Sequence, residues 1–355
     1  MSPAGQDLTL AVVGATGAVG RVLARVLPTR GVVWERIRLA AAPEDVGRTI
    51  SIGGRAAVVE ELTEEFFEGV DVAVFDIPTP LSRRWVEYAA SRGVVVIDNS
   101  PVFRLDTDVP LVAAEVNPLR VKDRPRGIIA NPGAITLTMV DCLATLHAGW
   151  ELEMLVVTTL QAASGLGRRG MARLYDEIEV VAGHRELGQR PGDVRRLIEH
   201  ELGESVFPGP LALNVLPMVG DLAQDGATSE EAKIRDELRR ILGLPHLPVA
   251  ATCVRVPVVS SHCVSVHARF GRRIEVKQAR QALIESPAVV VLDDPEHAEF
   301  PTPTDVVGSD PRFAGRIRQA PDMPRTLDFF LSGDDLRKGA ALNMIQIAEL
   351  VRADL

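Results

Sequence analysis

The stretch LTLAVVGATGAVG (residues 8–20) decides the fold of this chain. Its first six residues form a short, largely apolar run that is partly β-branched, and a glycine follows them. This pattern predicts a buried strand over residues 8–13. Apolar side chains then recur at helical spacing, which predicts a helix over residues 18–27. A strand, a glycine-rich turn and a helix in this order are typical of the start of a doubly wound α/β domain.

The glycines of this turn follow the pattern G-x-x-G-x-x-G, a variant of the dinucleotide fingerprint. Glycine is needed where a Cβ would block a tight turn or keep the backbone away from a pyrophosphate, and the helix N-terminus presents N–H groups to the anion. The sequence therefore predicts dinucleotide binding, although a glycine-rich turn without a ligand is the plainer interpretation. The predicted contact residues of the turn are Gly14, Thr16, Gly17, Ala18, Val19 and Gly20.

Alternating strands and helices continue through the first third of the chain. Because strands that alternate with helices imply right-handed crossovers, we predict a doubly wound parallel sheet. The further predicted strands are residues 37–41, 70–75, 94–97 and 128–130, and the predicted helices between them are residues 62–68 and 82–92.

The pattern changes after residue 132, where the predicted strands become longer and the helices fewer. This change indicates a mixed or antiparallel sheet in a second domain. Its strands are predicted over residues 152–160, 211–217, 249–258 and 263–270. A charged helical stretch over residues 170–202 suits an exposed excursion or a subunit contact, and residues 334–355 have apolar side chains at helical spacing.

Length and composition fit a two-domain globular protein. The chain has 355 residues, of which 46% are hydrophobic and 25% charged, and its formal net charge is −9. This acidic balance argues against nucleic acid or an anionic membrane as the main partner. Three cysteines without C-x-x-C spacing argue against a disulfide framework or a zinc site, and the N-terminus has no signal-peptide or membrane-anchor pattern. We therefore expect a cytoplasmic protein.

Several blocks of sequence resemble the aspartate-semialdehyde dehydrogenase family, in the same order and over nearly the whole chain. The blocks are GATGAVG (14–20), IDNSPVFRLDTDVPLVAAEVN (97–117), IIANPG (128–133), LQAASGLG (160–167), LNVLP (213–217), SEEAK (229–233), RVPVVSSHCVSVH (255–267), GRIR (315–318) and DDLRKGAALNMIQIAE (334–349). The resemblance implies a Rossmann-like dinucleotide-binding domain (residues 1–132 and 333–355) and an α+β substrate-binding and dimerisation domain with a mixed sheet (residues 133–332). It also implies a small amino-acid-derived ligand and a homodimer or homotetramer.

Members of this family reduce L-β-aspartyl phosphate to aspartate semialdehyde with NADPH. A cysteine thiolate in an N-P-N-C-[ST] segment attacks the acyl phosphate, and hydride reduces the thioester that forms. The matching segment here reads Asn131-Pro132-Gly133-Ala134-Ile135, so alanine stands at the position of the nucleophile and its two neighbours also differ. Cys142 and Cys263 are expected to be buried structural thiols.

The resemblance also assigns roles to side chains outside that segment. Gln161 matches the glutamine that orients the reacting carbonyl, His262 the general acid/base, and Arg255 the arginine that holds the substrate carboxylate. The other matching positions are Glu230 for the amino group, Lys233 for the phosphate, Arg104 for a second phosphate contact, Asn131 for substrate, and Ser164 with Gly165 near the nicotinamide.

Each of these residues has a structural alternative. Glu230 and Lys233 are spaced for a solvated ion pair on one helix face. Arg255 and His262 are separated by an odd number of residues, so a straight strand could not direct both side chains into one pocket. Pro257 makes a local break between them plausible.

The cofactor-specificity loop differs from that of family members that use NADPH. Residues 41–47 read AAPEDVG, so Ala42 replaces a hydrogen-bonding serine and Glu44 places negative charge where a 2′-phosphate would lie. A carboxylate at this position can accept a hydrogen bond from a ribose 2′-hydroxyl instead. The sequence therefore favours NAD, or no cofactor, over NADP.

Three functions follow from these features. The first is altered chemistry on an aspartyl-phosphate or aspartate-semialdehyde ligand, either capture of the acyl phosphate by another nucleophile or direct hydride transfer. The second is a non-catalytic binding protein or partner subunit. The third is a working aspartate-semialdehyde dehydrogenase, which the whole-chain similarity suggests.

Overall fold

The strand predicted from the first block is present, and we name it β1 (Thr9–Val13); all five of its residues are buried. A computed structural model describes residues 8–32 and 34–355 of the chain. It divides into two units, Met1–Gly133 with Leu336–Leu355, and Ala134–Asp335. No helix within the described residues is both long and apolar enough to cross a membrane.

A seven-stranded sheet forms the first unit, in the order β3-β4-β2-β1-β5-β6-β7. Its other strands are β2 (Arg36–Ala40), β3 (Thr49–Ile52), β4 (Arg55–Glu60), β5 (Val72–Phe75), β6 (Val95–Asp98) and β7 (Ile128–Ala130). All neighbouring strands are parallel except β3 and β4. Strands β2 to β4 lie on one side of β1 and strands β5 to β7 on the other, so the strand order reverses between β1 and β5. In such sheets a ligand crevice opens at this point, at the carboxyl ends of the strands.

Helices cover this sheet because each buries one apolar face. In chain order the helices of the protein are α1 (Ala18–Val26), α2 (Thr79–Ser91), α3 (Ala134–Trp150), α4 (Gly167–Val181), α5 (Asp193–Leu202), α6 (Ser229–Leu242), α7 (Val276–Glu285), α8 (Pro303–Val306) and α9 (Asn343–Asp354). A π-helical segment, Arg337–Leu342, precedes α9. Both pack into the hydrophobic core of the first unit together with β1 and α1, so the C-terminal helix belongs to this unit.

A mixed six-stranded sheet forms the second unit, in the order β11-β12-β13-β10-β8-β9. Its strands are β8 (Leu152–Gln161), β9 (Val249–Arg255), β10 (His262–Phe270), β11 (Val289–Val291), β12 (Arg312–Arg318) and β13 (Thr326–Gly333). Helix α3 packs against this sheet and against α6 and α7, and a continuous run of its residues, 135–143, is buried. A helix that is apolar on every side is typical of such an enclosed position.

Two predicted elements are wrong. Residues 211–217 form an irregular segment with one short turn rather than a strand; only Leu216 pairs with the sheet, in a single bridge to Arg255, and Leu213 has a positive φ of 56°. Residues 62–68 contain only the short 3₁₀ turn Glu65–Phe67, whose two phenylalanines are buried among other rings. The pattern also missed the hairpin of β3 and β4.

The unit boundaries differ slightly from the predicted domain boundaries. The first falls between Gly133 and Ala134 rather than after residue 132, and the second after Asp335 rather than residue 332. The reason for the second shift is that β13 runs to Gly333 and the next two residues, Asp334 and Asp335, accept hydrogen bonds within the second unit.

The backbone around Gly14 gives a direct test of why glycine is required there. Gly14 has φ of +98°, and a Cβ on it would lie 2.1 Å from the backbone oxygen of Asp76. Gly47 has a similar φ of +83°, but a Cβ there would meet nothing within 4 Å. We expect Gly47→Ala to lower the free energy of unfolding by about 1–2 kcal/mol from backbone strain alone. Gly14→Ala adds a clash that backbone cannot relieve and should lower it by more than ~3 kcal/mol. Equal losses in urea unfolding would contradict this account of the turn.

Candidate functional site

The backbone of Ala162 connects the two side chains that the sequence predicts to be central. Its N–H donates to Nδ1 of His262 at 3.2 Å, and its carbonyl oxygen accepts from the Arg255 guanidinium at 2.7 Å. Strand β8 lies between β9 and β10. Ala162 directly follows β8, at the end of the sheet where β9 ends at Arg255 and β10 begins at His262. The sheet therefore places both side chains next to the backbone of one residue.

The predicted break between Arg255 and His262 is confirmed. Residues 256–261 connect β9 to β10, and Ser261 has a positive φ of 77°. Gln161 is the last residue of β8 and pairs in register with Arg255. Its buried amide donates to the hydroxyl of Thr159 at 3.2 Å. The structure thus brings Gln161, Arg255 and His262 together at the same end of three neighbouring strands.

His262 is held as a neutral imidazole. Its Nδ1 accepts a hydrogen bond from Ala162, which assigns the ring proton to Nε2. Burial lowers the pKa of His262, and the positive charge of Arg255 lowers it further, while the carboxylates of Asp335 and Glu230 oppose this shift. In this state the Nε2–H group can donate to an oxygen of a bound ligand.

Asp335 is a residue of this site that the sequence analysis did not include. Its carboxylate accepts from the Ser164 hydroxyl at 2.7 Å and from the Ser261 N–H at 2.8 Å, and lies 3.8 Å from Nδ1 of His262. Ser164, predicted to lie near the nicotinamide, therefore holds this carboxylate. The available signal in the sequence is the pair of consecutive acidic residues, Asp334 and Asp335, at the start of the block at 334–349.

Arg255 is a buried cation in a narrow space. Burial lowers its pKa, and the negative charges of Glu230 and Asp335 counteract that effect. A Cβ on Gly165 would lie 2.5 Å from the Arg255 Nη1 atom, so glycine at 165 makes room for the guanidinium. Glu230 and Lys233, one turn apart on α6, form an ion pair of 2.7 Å. Both are only partly exposed.

The other two predicted ligand residues lie in the first unit. Arg104 is buried and donates to the backbone oxygen of Asn99 at 2.6 Å. Asn131 donates to the side-chain oxygen of Asn99 at 2.8 Å and accepts from Asn343 at 2.7 Å. Asn99 in turn donates to the Asp76 carboxylate at 2.8 Å. Sequence reasoning missed Asp76, although a polar residue directly after a buried strand is the expected signal for a ligand crevice.

The glycine-rich turn has the geometry that the sequence predicted. A Cβ on Gly20 would lie 2.3 Å from the Gly14 oxygen, so these two glycines permit close backbone packing. Gly17 is the N-cap residue of α1, and no side chain caps that end of the helix. In the specificity loop Glu44 is exposed, whereas Asp45 forms an ion pair with Arg48 at 2.8 Å.

Ala134, which the resemblance places at the position of the family's nucleophile, is the partly exposed first residue of α3. All three cysteines are free and buried. Burial raises the pKa of Cys142 far above its ordinary value, that of Cys253 to about 12 and that of Cys263 to about 11. Such thiols are neutral near pH 7 and are poor nucleophiles.

Two hydroxyl groups have a carboxylate beside them: Thr136 donates to Glu237 at 2.7 Å and Ser164 to Asp335 at 2.7 Å. Both hydroxyls are nevertheless buried, which makes them structural donors.

These features define a class of protein: a two-unit α/β protein with a Rossmann-like parallel sheet and a second unit with a mixed sheet and a buried arginine–histidine site. The family model "Semialdehyde dehydrogenase, NAD binding domain" matches residues 9–124, and "Semialdehyde dehydrogenase, dimerisation domain" matches residues 143–338. The chain belongs to the aspartate-semialdehyde dehydrogenase family, so the resemblance found in the sequence is confirmed.

Relatives and solved structures agree with this assignment. A relative named aspartate-semialdehyde dehydrogenase, from Streptomyces akiyoshiensis, is 41% identical and aligns over 98% of this chain and 99% of its own. The structure of aspartate semialdehyde dehydrogenase II from Vibrio cholerae, complexed with ASA, has a TM-score of 0.89 at 33% identity and covers 99% of both chains. A structure from Candida albicans with NADP shares the fold, with a TM-score of 0.72 at 23% identity over 98% of this chain and 99% of its own.

The family match also bears on cofactor and assembly. The NAD-binding model over the first unit supports a nicotinamide cofactor, and the dimerisation model over the second unit supports self-association. The roles of the individual site residues and the consequence of Ala134 stay predictions.

The contact between Asp335 and His262 generates a test of the site's electrostatics. Protonation at Nδ1 would end the hydrogen bond from Ala162 and leave the Asp335 carboxylate as the partner of the new N–H group. We therefore expect Asp335→Asn to lower the pKa of His262 by about one pH unit, measured from its imidazole proton resonances. The matched control is Asp334→Asn, whose carboxylate accepts from Gly308 and has a smaller effect on His262. An unchanged or raised pKa in Asp335→Asn would contradict this role.

Proposed function

We propose that this protein binds a ligand of the aspartate-semialdehyde or L-aspartyl-phosphate class and uses a nicotinamide cofactor as the redox partner. The observation that carries the proposal is the cluster of Arg255, Glu230, Lys233 and His262 in the second unit. Their charges match those of the ligand, because an amino-acid acyl phosphate carries one carboxylate, one ammonium group and one phosphate.

Each charged group of such a ligand has a partner in this cluster. The buried guanidinium of Arg255 pairs with the α-carboxylate, and burial makes the pairing strong. Glu230 and Lys233 now neutralise each other, and a ligand that brings an ammonium group and a phosphate can replace this ion pair with two new ones. Gln161 orients the reacting carbonyl, and Nε2–H of His262 donates to its oxygen.

The relatives support a working dehydrogenase, the third function left open by the sequence, better than altered chemistry. Proteins with this name align over nearly the whole chain at about 40% identity. We therefore take the interconversion of aspartate semialdehyde and the acyl phosphate as the first candidate reaction. The nicotinamide cofactor supplies or accepts the hydride, and phosphate is the second substrate or leaving group.

Altered chemistry is the second candidate because one observation favours it. A thioester route needs a thiolate, yet residue 134 is alanine and the three thiols are buried with raised pKa values. Without that route, a diffusible nucleophile can displace phosphate from the bound acyl phosphate, or hydride can pass directly to a bound aldehyde. Both steps use Arg255, Gln161 and His262 without a covalent intermediate.

One assay separates the two candidates. Aspartate semialdehyde, phosphate and NAD or NADP are mixed with the protein, and reduced nicotinamide is followed by absorbance, with the Streptomyces akiyoshiensis relative assayed in parallel. A working dehydrogenase gives phosphate-dependent turnover of similar rate. Loss of the nucleophile gives a rate lower by about 10⁴–10⁶ while the ligand still binds. If the protein shows no binding and no turnover, both candidates are contradicted.

The preferred dinucleotide and the assembly state are further parts of the proposal. We propose NAD over NADP, since the side chain of Ala42 offers no donor to a 2′-phosphate and the exposed Glu44 carboxylate can accept from a ribose hydroxyl. We propose a homodimer or homotetramer formed through the second unit. We also propose a cytoplasmic location, where a reducing environment keeps Cys142, Cys253 and Cys263 as free thiols.

Ligand binding depends on Arg255 if this function is correct. Arg255→Ala removes the buried cation, and we expect it to weaken binding of a phosphonate analogue of L-β-aspartyl phosphate about 100-fold by calorimetry. The matched control is Arg269→Ala, which removes a half-exposed arginine of β10 that pairs with Glu153 at 3.5 Å. That control should bind the analogue normally. Unchanged affinity in Arg255→Ala, with an unchanged melting temperature, would show that this arginine does not bind the ligand.

A further inference from the structure

Asp76 lies at the point of the first unit where a dinucleotide would enter. It follows β5 directly, and its N–H donates to the Val13 oxygen at the end of β1 at 2.9 Å. Its Oδ2 atom lies 3.8 Å from the position of a Cβ on Gly17, the N-cap residue of α1. Asp76 therefore occupies the crevice between β1 and β5, where the strand order reverses, beside the glycine-rich turn.

A chain of amides fixes the direction of this carboxylate. The backbone N–H of Ala114 donates to Oδ1 of Asn343 at 3.0 Å, which leaves the Asn343 NH₂ group to donate to Asn131. Asn131 donates to Asn99, and Asn99 donates to Oδ1 of Asp76. Each amide uses its oxygen as an acceptor and its nitrogen as a donor, so the chain runs in one direction. It holds Oδ1 of Asp76 and leaves Oδ2 on the side of Gly17.

The same place suits the pyrophosphate of a dinucleotide. The N–H groups at the start of α1 and the helix dipole favour an anion there, and Gly17 permits close approach. A carboxylate a few Å away opposes that anion by like-charge repulsion, which is strong where burial limits screening by water. The glycine-rich turn and Asp76 therefore act on a pyrophosphate in opposite directions.

We propose that Asp76 controls affinity at the dinucleotide site: its carboxylate, when ionised, weakens pyrophosphate binding, so that dinucleotide affinity rises as the pH falls. The proposal rests on the nicotinamide cofactor proposed above and adds to it the residue that controls affinity. It concerns a side chain to which the resemblance assigns no role.

The charged groups around Asp76 set the direction of this pH dependence. Burial raises the pKa of Asp76, and the neighbouring Asp98 carboxyl raises it further. The hydrogen bond from Asn99 and the positive charge of Arg104 oppose these effects. Asp98 itself accepts from the hydroxyls of Ser82 and Ser100, and burial also raises its pKa. Because protonation removes the charge of Asp76, the repulsion falls as the pH falls through its pKa.

The test is calorimetric titration with NAD and with NADP from pH 5 to pH 8. Asp76→Asn keeps the shape of the side chain and an oxygen that accepts from Asn99. The matched control is Asp71→Asn, which directly precedes β5, whereas Asp76 directly follows it. The Asp71 carboxylate accepts from the Thr9 N–H at 2.7 Å. Melting temperatures establish that each variant is folded.

We expect Asp76→Asn to bind both dinucleotides about tenfold more tightly than the unmodified protein at pH 8. The difference should shrink towards pH 5, and Asp71→Asn should behave like the unmodified protein. In the unmodified protein itself, affinity should rise as the pH falls, which requires no variant.

Three outcomes would overturn the proposal, and they are distinguishable. Equal, pH-independent binding by all three proteins overturns the role of Asp76 and leaves the cofactor proposal in place. Weaker binding by Asp76→Asn means that the carboxylate accepts a hydrogen bond from the dinucleotide instead. If none of the proteins binds either dinucleotide at any pH, the cofactor proposal fails together with this one.

Discussion

The candidate site depends on the two hydrogen bonds made by the backbone of Ala162. The N–H of this residue donates to His262 and its carbonyl oxygen accepts from Arg255, so the distance between the imidazole and the guanidinium is set by backbone geometry. This residue is itself fixed, because it follows β8, which lies between two neighbouring strands of the sheet. Side chains placed in this way by rigid strands are held more accurately than side chains on loops. The positions of Gln161, Gly165 and Asp335 follow from the same arrangement.

Burial determines how these groups behave. In a poorly solvated site the imidazole of His262 stays neutral, and the charge of Arg255 is tolerated because carboxylates lie nearby. The first unit shows a related balance, in which a chain of amides ends at the carboxylate of Asp76. In both units, ionisable groups lie where a polar ligand would be recognised, a common property of functional sites.

The sequence predicted what depends on local pattern. The strand–turn–helix at residues 8–26, the doubly wound sheet and the break near Pro257 each have a short-range signal, and the structure contains all three. The apolar run at 211–217 misled the strand prediction, because Leu213 and Val215 are exposed in an irregular segment. Asp335 could not be found by spacing, since it lies 171 residues from Ser164, and Asp76 is recognised only when β1 and β5 are known to be neighbours. Contacts of that range follow from topology, which a single sequence does not state.

Membership of a family fixes the fold more firmly than the reaction, because the reaction depends on a few side chains. The most direct test of the account is a crystal structure of the protein soaked with aspartate semialdehyde. We predict that the ligand carboxylate lies on the guanidinium of Arg255, that the Ala162 hydrogen bonds persist, and that no bond joins the ligand to a cysteine sulfur. A ligand bound away from Arg255, or one covalently attached to Cys142, Cys253 or Cys263, would contradict it.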